Sequence, residues 1–274
     1  SADALVAEMD YAGIDVALLH RIPYLGISNE FISDCVRKFP ERLCGLAYIE
    51  EWRIRSEQDW AIKKLQHAVK GLGLAALQFL PDHFSLYGQD DDWVSDEFNP
   101  YWDAFTDLGV PLFITPNFSS LATGKGALDS VLGQLNKIRS WMEKYPDVDV
   151  VLTHGFSWHM FVDGEKVVLP DSIFKAAPTD NPRFHMQVMF PISLGGVWEY
   201  PMLQVRPLME LLVERVGVDR LIWGTDMPIV MRFYTYRQCI EQIKRCCDFL
   251  NTEDLDMILG GNAVRILDWQ TSHM

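Results

Sequence analysis

Residues Val148–Gly155 read VDVVLTHG, and residues Arg220–Met227 read RLIWGTDM. Each segment is a short apolar run that ends in a polar residue with acid–base chemistry, His154 in the first and Asp226 in the second. Runs of this kind are typical of parallel strands that are covered by helices. Both segments therefore predict buried strands whose carboxyl ends carry functional groups.

Five other segments repeat this pattern and predict further strands: Asp15–His20, Leu43–Glu50, Leu74–Leu80, Pro111–Asn117 and Arg183–Phe190. Helical spacing is found between the runs, in Ser1–Ala12, Asn29–Phe39, Ser56–Val69, Asn99–Leu108, Lys125–Lys144, Met202–Val216, Tyr236–Leu250 and Thr252–Leu267. Strands that alternate with helices indicate an α/β fold with a parallel sheet. A doubly wound open sheet would favour a Gly-rich phosphate loop after the first strand, and the sequence has none there. The pattern therefore predicts a (β/α)8 TIM barrel.

The predicted strands are one fewer than a closed eight-stranded barrel requires. Because the chain starts with the helix that normally follows strand one, we expect a distorted barrel whose first strand is missing from the given sequence. The length of 274 residues, 49% of them hydrophobic, suits a single barrel. Residues 1–274 are therefore predicted to form one domain.

The composition argues against several classes of function. A net charge of -14 at pH 7 would repel a polyanion, so a nucleic-acid partner is not expected. No run approaches the roughly 18 consecutive apolar residues that a membrane span needs. The five cysteines show no CxxC spacing and no signal-peptide pattern begins the chain, so a reducing, cytoplasmic setting is expected.

His154 and Asp226 are the main catalytic candidates. A neutral imidazole at a strand end can act as a general base, a proton shuttle or a metal ligand, although a hydrogen-bonded core histidine is the alternative. A carboxylate is costly to bury unpaired, so Asp226 suggests a bound cation, several hydrogen bonds or an arginine partner. Pro228 makes a simple turn the alternative there. Together the two residues favour an active site at the carboxyl ends of the strands.

Other polar and aromatic residues near the strand ends are candidate substrate-binding residues. The set is His20, Arg21, Thr115, Asn117, Trp158, His159, Phe190, Trp223 and Arg232. Arg21 can pair with a substrate carboxylate or remain solvated, and Trp158 can line the pocket or pack in the core. The long acidic loop Pro81–Asn99 is interpreted either as a lid or as a solvated insertion.

Several of these segments resemble one enzyme family. They are AEMDYAGIDVALL (7–19), NEFISDCVRKFPERLCGLAYIE (29–50), VVLTHG (150–155), EYPMLQVRPLMELLVERVGVDRLIWGTDMP (199–228) and ILGGNAVRIL (258–267). The chain resembles the amidohydrolase superfamily, in particular the branch of aminocarboxymuconate-semialdehyde decarboxylase and related aromatic-acid decarboxylases. The last two segments are the most specific.

The resemblance implies a distorted barrel with one divalent metal ion, zinc first, with manganese, magnesium or iron as alternatives. In the family the ligands are an HxH pair on strand one, a His at the end of strand five and an Asp on strand eight. A His on strand six activates water or handles a proton. Asp226 matches the strand-eight acid and His154 the strand-six histidine, and both are expected beside the metal.

The chain departs from the family pattern in two places. The HxH pair is absent from the given sequence, and Thr115 stands where the family has the strand-five histidine. A hydroxyl is a poor zinc ligand compared with imidazole. The metal is therefore expected to be held by fewer or different groups, with Asn117 or a neighbouring His as helpers, or the site is metal-free.

Three hypotheses of function follow from the resemblance and these departures. The first is a metal-dependent lyase that decarboxylates a small unsaturated or aromatic carboxylic acid. The second is a metal-dependent hydrolase of an ester, amide, thioester or lactone on the same scaffold, and the third is a degenerate, non-catalytic barrel. A small-molecule carboxylic acid substrate and a homodimer are expected.

Overall fold

The computed structural model describes residues 1–20, 26, 28–116, 125–156, 158–164, 166–189 and 200–269. Within them lies a seven-stranded sheet in the order β1-β2-β3-β4-β5-β8-β9, with every neighbouring pair parallel. Its strands are β1 Ala17–Leu19, β2 Leu43–Tyr48, β3 Ala76–Phe79, β4 Leu112–Ile114, β5 Val150–Leu152, β8 Phe184–Val188 and β9 Leu221–Trp223. The strands β6 Val162–Asp163 and β7 Lys166–Val167 form a separate antiparallel hairpin. Each strand of the large sheet lies inside a predicted run, which confirms those predictions.

Helices alternate with the strands of the large sheet. They are α1 Ala2–Ala12, α2 Asn29–Lys38, α3 Glu51–Ile54, α4 Gln58–Gln66, α5 Asp82–Leu86, α6 Asn99–Thr106, α7 Lys125–Lys144, α8 Asp171–Ala176, α9 Val205–Arg215, α10 Tyr236–Cys246, α11 Thr252–Asp256 and α12 Asn262–Ile266. The predicted helix Ser56–Val69 corresponds to α4 and a π-helical turn, His67–Gly71. The predicted helix Thr252–Leu267 is α11 and α12 joined by a second π-helical turn, Met257–Gly261.

The sheet curls around an apolar interior. Alternate residues of its strands share one buried cluster, whose members are Cys44, Leu46, Ala76, Phe113, Val151, Ile222 and Leu267. Ile222 lies on the edge strand β9, and Leu18 of the opposite edge strand β1 packs against the same cluster. Because residues of both edges reach one interior, the sheet forms the wall of a barrel, with Leu267 following α12 as part of its filling.

The helical layer continues across the two sheet edges. Met9 and Ala12 of α1 share a buried cluster with Tyr236 and Ile240 of α10. These helices flank β1 and β9, so the outer layer is continuous where the described sheet has its edges. The fold is thus an α/β half-barrel consistent with a distorted TIM barrel, and the missing first strand stays a prediction.

No helix in the described ranges is long and apolar enough to cross a membrane. The predicted homodimer stays a prediction.

The loop Pro81–Asn99 is packed against the barrel rather than extended into solvent. Phe84, Trp93 and Phe98 are fully buried in it, and the Trp93 ring lies 5.4 Å from that of Phe79 on β3. The carbonyl oxygen of Trp93 also accepts a hydrogen bond of 2.8 Å from Trp102 Nε1. Three buried aromatic residues hold the segment in place, which favours neither a lid nor a solvated insertion.

We predict that Trp93→Ala lowers the free energy of unfolding by about 3–5 kcal/mol, because it removes a fully buried ring and leaves a cavity. The matched control is Leu86→Ala in the same segment, where the side chain is 73% exposed and the expected change is below about 0.5 kcal/mol. Urea unfolding measures the free energy of unfolding of both variants, and an unchanged m-value shows that only the stability has changed. Equal, small effects of the two variants would show that the segment detaches without cost, as a lid does.

Candidate active site

The barrel interior changes from apolar to polar at the carboxyl ends of the strands. Side chains alternate along a strand, so the residues two positions beyond the apolar interior again point inward. These inward residues form a polar ring, defined here as Tyr48, Gln78, Thr115, Thr153 and Gln187. On β1 the same register brings His20 inward, and its ring lies 5.8 Å from that of Phe113 in edge-to-face contact. The mouth of the barrel is therefore lined by groups that can hydrogen-bond.

His154 follows β5 and turns the chain sharply at this mouth. Its backbone has a φ of 62°, in the left-handed region that non-glycine residues rarely adopt, and Gly155 continues the turn with the same φ. A Cβ at Gly155 would overlap the Trp158 indole, so only glycine fits there. Such backbone strain costs on the order of 1–3 kcal/mol and concentrates at functional sites, which supports a functional role for His154.

Asp226 occupies the equivalent position after β9. Its φ is 57°, again left-handed, and its carbonyl oxygen accepts a 3.2 Å hydrogen bond from the Val230 N–H at the start of the next turn. The neighbouring Thr225 hydroxyl oxygen accepts from the Met227 N–H at 3.2 Å. Burial raises the pKa of Asp226 to about 6. Its carboxyl group is therefore ionised at neutral pH but holds a proton more readily than an exposed one.

Two imidazoles at this mouth of the barrel are neutral. Burial lowers the pKa of His154 to about 4. Burial lowers the pKa of His20 to about 4 as well, and the nearby His154 lowers it further. His20 follows β1 and His154 follows β5, so both residues lie at the carboxyl ends of the strands. Both rings are uncharged at neutral pH and offer one donor and one acceptor each.

Gln187 connects the two strand ends that carry the catalytic candidates. Its Oε1 accepts a hydrogen bond of 3.2 Å from the backbone N–H of His154. Its amide packs against Gly224, two residues before Asp226, so closely that a Cβ there would lie 2.8 Å from Gln187 Cδ. Gln187 therefore touches the strand end that carries His154 and the one that leads to Asp226, and the joint catalytic role of these two residues stays a prediction.

The described residues do not fit the family's metal-binding pattern. The Thr115 hydroxyl oxygen accepts a hydrogen bond of 2.6 Å from the Thr153 hydroxyl, which ties the end of β4 to the end of β5. In the described ranges, no three His, Cys, Asp or Glu side chains are grouped so that they could hold an ion. We therefore assign no metal ligand among them and derive no chemical step through a metal.

Two of the candidate substrate-binding residues, Trp158 and Trp223, pack away from the inward face. Trp158 is fully buried behind the turn, in edge-to-face contact with Phe156 at 5.3 Å. Trp223 is on the outer face of β9, stacked on Tyr236 of α10 at 6.3 Å. His159 and Arg232 are exposed. Packing thus explains the two tryptophans, whereas Arg232 stands on the 3-10 helix Ile229–Arg232 that follows Asp226.

The remaining candidates, Arg21, Asn117 and Phe190, lie outside the described residues.

Sequence inspection missed a buried acid–base pair behind the polar ring. Glu51 Oε2 lies 2.8 Å from His83 Nδ1, and Glu51 Oε1 accepts a 2.9 Å hydrogen bond from the Leu80 N–H. The Tyr48 hydroxyl lies 3.2 Å from the same ring nitrogen of His83. Burial raises the pKa of Glu51, an effect that His83 opposes. The available signal was that Glu51 and His83 each follow a strand by a few residues, as His154 and Asp226 do.

Two clefts lined by described residues lie at the other end of the barrel. One of about 410 Å³ lies between the end of α7 and the segment before β8, and includes Arg139 and Arg183. Another of about 400 Å³ lies below β4 and β5 and includes Asp107 and Asp149. Both are at the amino-terminal ends of strands, where barrels build stability rather than catalysis. The mouth remains the candidate active site.

Comparison with known proteins agrees with the fold. Residues 1–269 match a family model described as amidohydrolase. The chain is 25% identical over 186 residues to an L-fucono-1,5-lactonase from Burkholderia ambifaria, an alignment that covers 64% of this chain and only 56% of that protein. The chain thus spans little more than half the length of this relative.

Two solved structures show the same fold. A candidate 2-pyrone-4,6-dicarboxylic acid hydrolase from Pseudomonas putida superposes with a TM-score of 0.69 at 15% identity, over 98% of this chain and 87% of that one. A dihydroxybenzoic acid decarboxylase from a Polaromonas species, with bound manganese and an inhibitor, gives a TM-score of 0.65 at 18% identity, over 97% and 85% of the chains. Because the family model covers nearly the whole sequence, the chain belongs to the amidohydrolase family and is an enzyme of that family.

Proposed function

We propose that this enzyme hydrolyses a lactone or another uncharged ester of a small carboxylic acid. The observation that carries the proposal is the charge pattern of the mouth. Of the four groups that the described strand ends bring to the mouth, the Asp226 carboxyl group is ionised at neutral pH, whereas the imidazoles of His20 and His154 and the Gln187 amide are neutral. An uncharged ester carbonyl can approach this carboxylate without repulsion, whereas a substrate carboxylate would meet a like charge.

The comparisons support the same chemistry. The similar Burkholderia protein is described as a lactonase. A lactonase adds water to a cyclic ester and yields an open-chain acid.

Asp226 is the proposed general base. Its carboxylate takes a proton from a water molecule while the water oxygen attacks the ester carbonyl, whose electron pair moves onto the carbonyl oxygen. When the tetrahedral intermediate collapses, the ring C–O bond breaks and the carboxyl group of Asp226 returns the proton to the leaving oxygen. His154 and His20 orient the water and the ester through neutral N–H and N groups. The sum is lactone plus water giving one hydroxy acid.

Decarboxylation of a small aromatic or unsaturated acid is the second candidate function. The raised pKa of Asp226 favours it, because a carboxyl group that holds a proton near pH 6 can protonate the carbon from which CO₂ leaves. Incubation with a panel of sugar lactones, pyrones and hydroxybenzoates separates the two functions: hydrolysis releases acid without CO₂, and decarboxylation releases CO₂.

We predict that Asp226→Asn lowers kcat for lactone hydrolysis by about 10²–10⁴-fold, because the amide cannot accept the proton of water. The control is Asp59→Asn, an exposed aspartate on α4, which should leave kcat unchanged. Titration of released acid at constant pH measures both variants. If the kcat of Asp226→Asn were within about threefold of the wild-type value, Asp226 would not be the general base.

The pH dependence of hydrolysis should show the titration of the same carboxyl group. Because only the ionised form accepts a proton, kcat/KM is expected to be level above pH 6 and to fall about tenfold per pH unit below about 6, the pKa to which burial raises Asp226. Neither histidine should add a limb in this range, because burial lowers the pKa of each to about 4. An acid limb centred near pH 4 would contradict the assignment.

Asp226→Asn should also increase stability at neutral pH. The native carboxyl group has a pKa of about 6 against an unperturbed 3.8, so the native state binds a proton more tightly than the unfolded state, and ionisation costs native stability. We expect the variant to be more stable by roughly 1–3 kcal/mol at about pH 8. This gain in stability should shrink as the pH falls from about 6, the native pKa, to 3.8, the unperturbed pKa, and should be absent below 3.8. Urea unfolding at several pH values measures the difference. A destabilised variant at pH 8 would mean that the carboxylate has a cationic or hydrogen-bonding partner.

A further inference from the structure

Gln187 is held in one orientation by the two strand ends it touches. Its Oε1 accepts the hydrogen bond from the His154 N–H at 3.2 Å, so the NH₂ group must point to the other side of the amide. That side faces Gly224 on β9. A hydrogen bond at one end of the amide therefore decides where the donor end lies.

Gly224 leaves space for this donor. An added Cβ would overlap Gln187 Nε2 and lie 2.8 Å from Cδ and 3.1 Å from Cγ, so a larger residue would displace the amide. The backbone of Gly224 remains in the sheet, since its N–H donates to the Val188 carbonyl oxygen at 3.1 Å. Only glycine allows both the strand pairing and the close approach of the amide.

The Nε2 atom has no acceptor within the described part of the chain, although it is not sealed from solvent. Gln187 is half-buried and faces inward. An amide whose oxygen is fixed and whose NH₂ group opens into the mouth is a preorganised hydrogen-bond donor. It lies between the turn of His154 and the strand end that leads to Asp226.

We propose that Gln187 Nε2 donates a hydrogen bond to the carbonyl oxygen of the substrate ester and stabilises the negative charge that develops there. This inference rests on the proposed hydrolysis, in which water activated by Asp226 attacks that carbonyl. Charge develops on the carbonyl oxygen only as the water oxygen bonds to carbon, so the donor acts mainly on the transition state. Removal of one such donor typically lowers kcat by about 10²–10³-fold.

The alternative is that Gln187 is only a structural strap between β5 and β9. Gln187→Glu separates the two roles, because the carboxylate still accepts from the His154 N–H but cannot donate to substrate. We expect Gln187→Glu to lower kcat about 10²-fold or more with KM changed less than about threefold. Gln187→Met, which can do neither, should lose kcat similarly. An unchanged melting temperature of Gln187→Glu would show that its loss of kcat is not a loss of fold.

The added charge of Gln187→Glu would itself raise the pKa of Asp226, so kcat is compared on the plateau of each variant's pH profile. A variant whose plateau kcat is within about threefold of the wild type, with only its acid limb moved, would overturn the donor role. The same conclusion would follow if Gln187→Met alone lost activity, together with stability, while Gln187→Glu kept both.

Gly224→Ala tests the orientation of the amide without changing Gln187. We expect it to lower kcat at least tenfold, because the Cβ displaces the donor nitrogen. The control is Gly133→Ala on α7, where an added Cβ meets nothing within 4 Å, and it should leave kcat unchanged. If the wild-type enzyme hydrolyses no lactone in the panel, the proposed function fails; if it hydrolyses one and Gln187→Glu and Gly224→Ala retain full kcat, only the donor role of Gln187 fails.

Discussion

Every second residue of a parallel strand points to the inside of the sheet, and this constraint decides both the core and the candidate site. Up to the middle of the strands the inward residues are apolar and fill the barrel, as Leu46, Phe113 and Val151 do. Two positions further the same register places Thr115 and Thr153 inward, and their hydroxyl groups hydrogen-bond across β4 and β5. The transition from core to site therefore needs no change of backbone, only a change of residue type at the strand ends.

The catalytic candidates leave this alternation because each adopts a left-handed backbone. After β5 and after β9, a positive φ at His154 and at Asp226 turns the chain away from the strand direction. Neither residue is a glycine, so the conformation costs free energy that neighbouring contacts must offset. The Gln187 hydrogen bond to the His154 N–H and the Val230 hydrogen bond to the Asp226 carbonyl oxygen are such contacts. Within the described strands, positive φ values occur at these two ends and not in a strand interior, as a site built on a rigid scaffold requires.

The sequence predicted the strands and the two strand-end residues well, because apolar runs between helical segments are a strong signal. It did not predict α3, α5 and α8, which are too short to show a helical period. Trp223 was expected in the pocket, but Ile222 faces the interior of the barrel. Because side chains alternate along a strand, Trp223 points outward and packs against α10. Gln187 was missed because an inward orientation can be assigned only when the register of β8 against its neighbours is known. The left-handed turns were not predicted because neither residue is a glycine, the residue that usually marks a positive φ.

The isolation that suits Asp226 to its proposed role as a base also lowers the stability of the native state. In the described residues no lysine or arginine pairs with its carboxyl group, and burial alone raises its pKa. A cation placed beside it would stabilise the charge and lower that pKa, which would weaken the carboxylate as a proton acceptor near neutral pH. Neutral donors avoid this loss: an imidazole or an amide can orient water and an ester carbonyl without neutralising the base. The Thr115 hydroxyl, whose oxygen accepts a hydrogen bond from Thr153, is likewise a neutral group, which agrees with the proposed role of Asp226 as the proton acceptor.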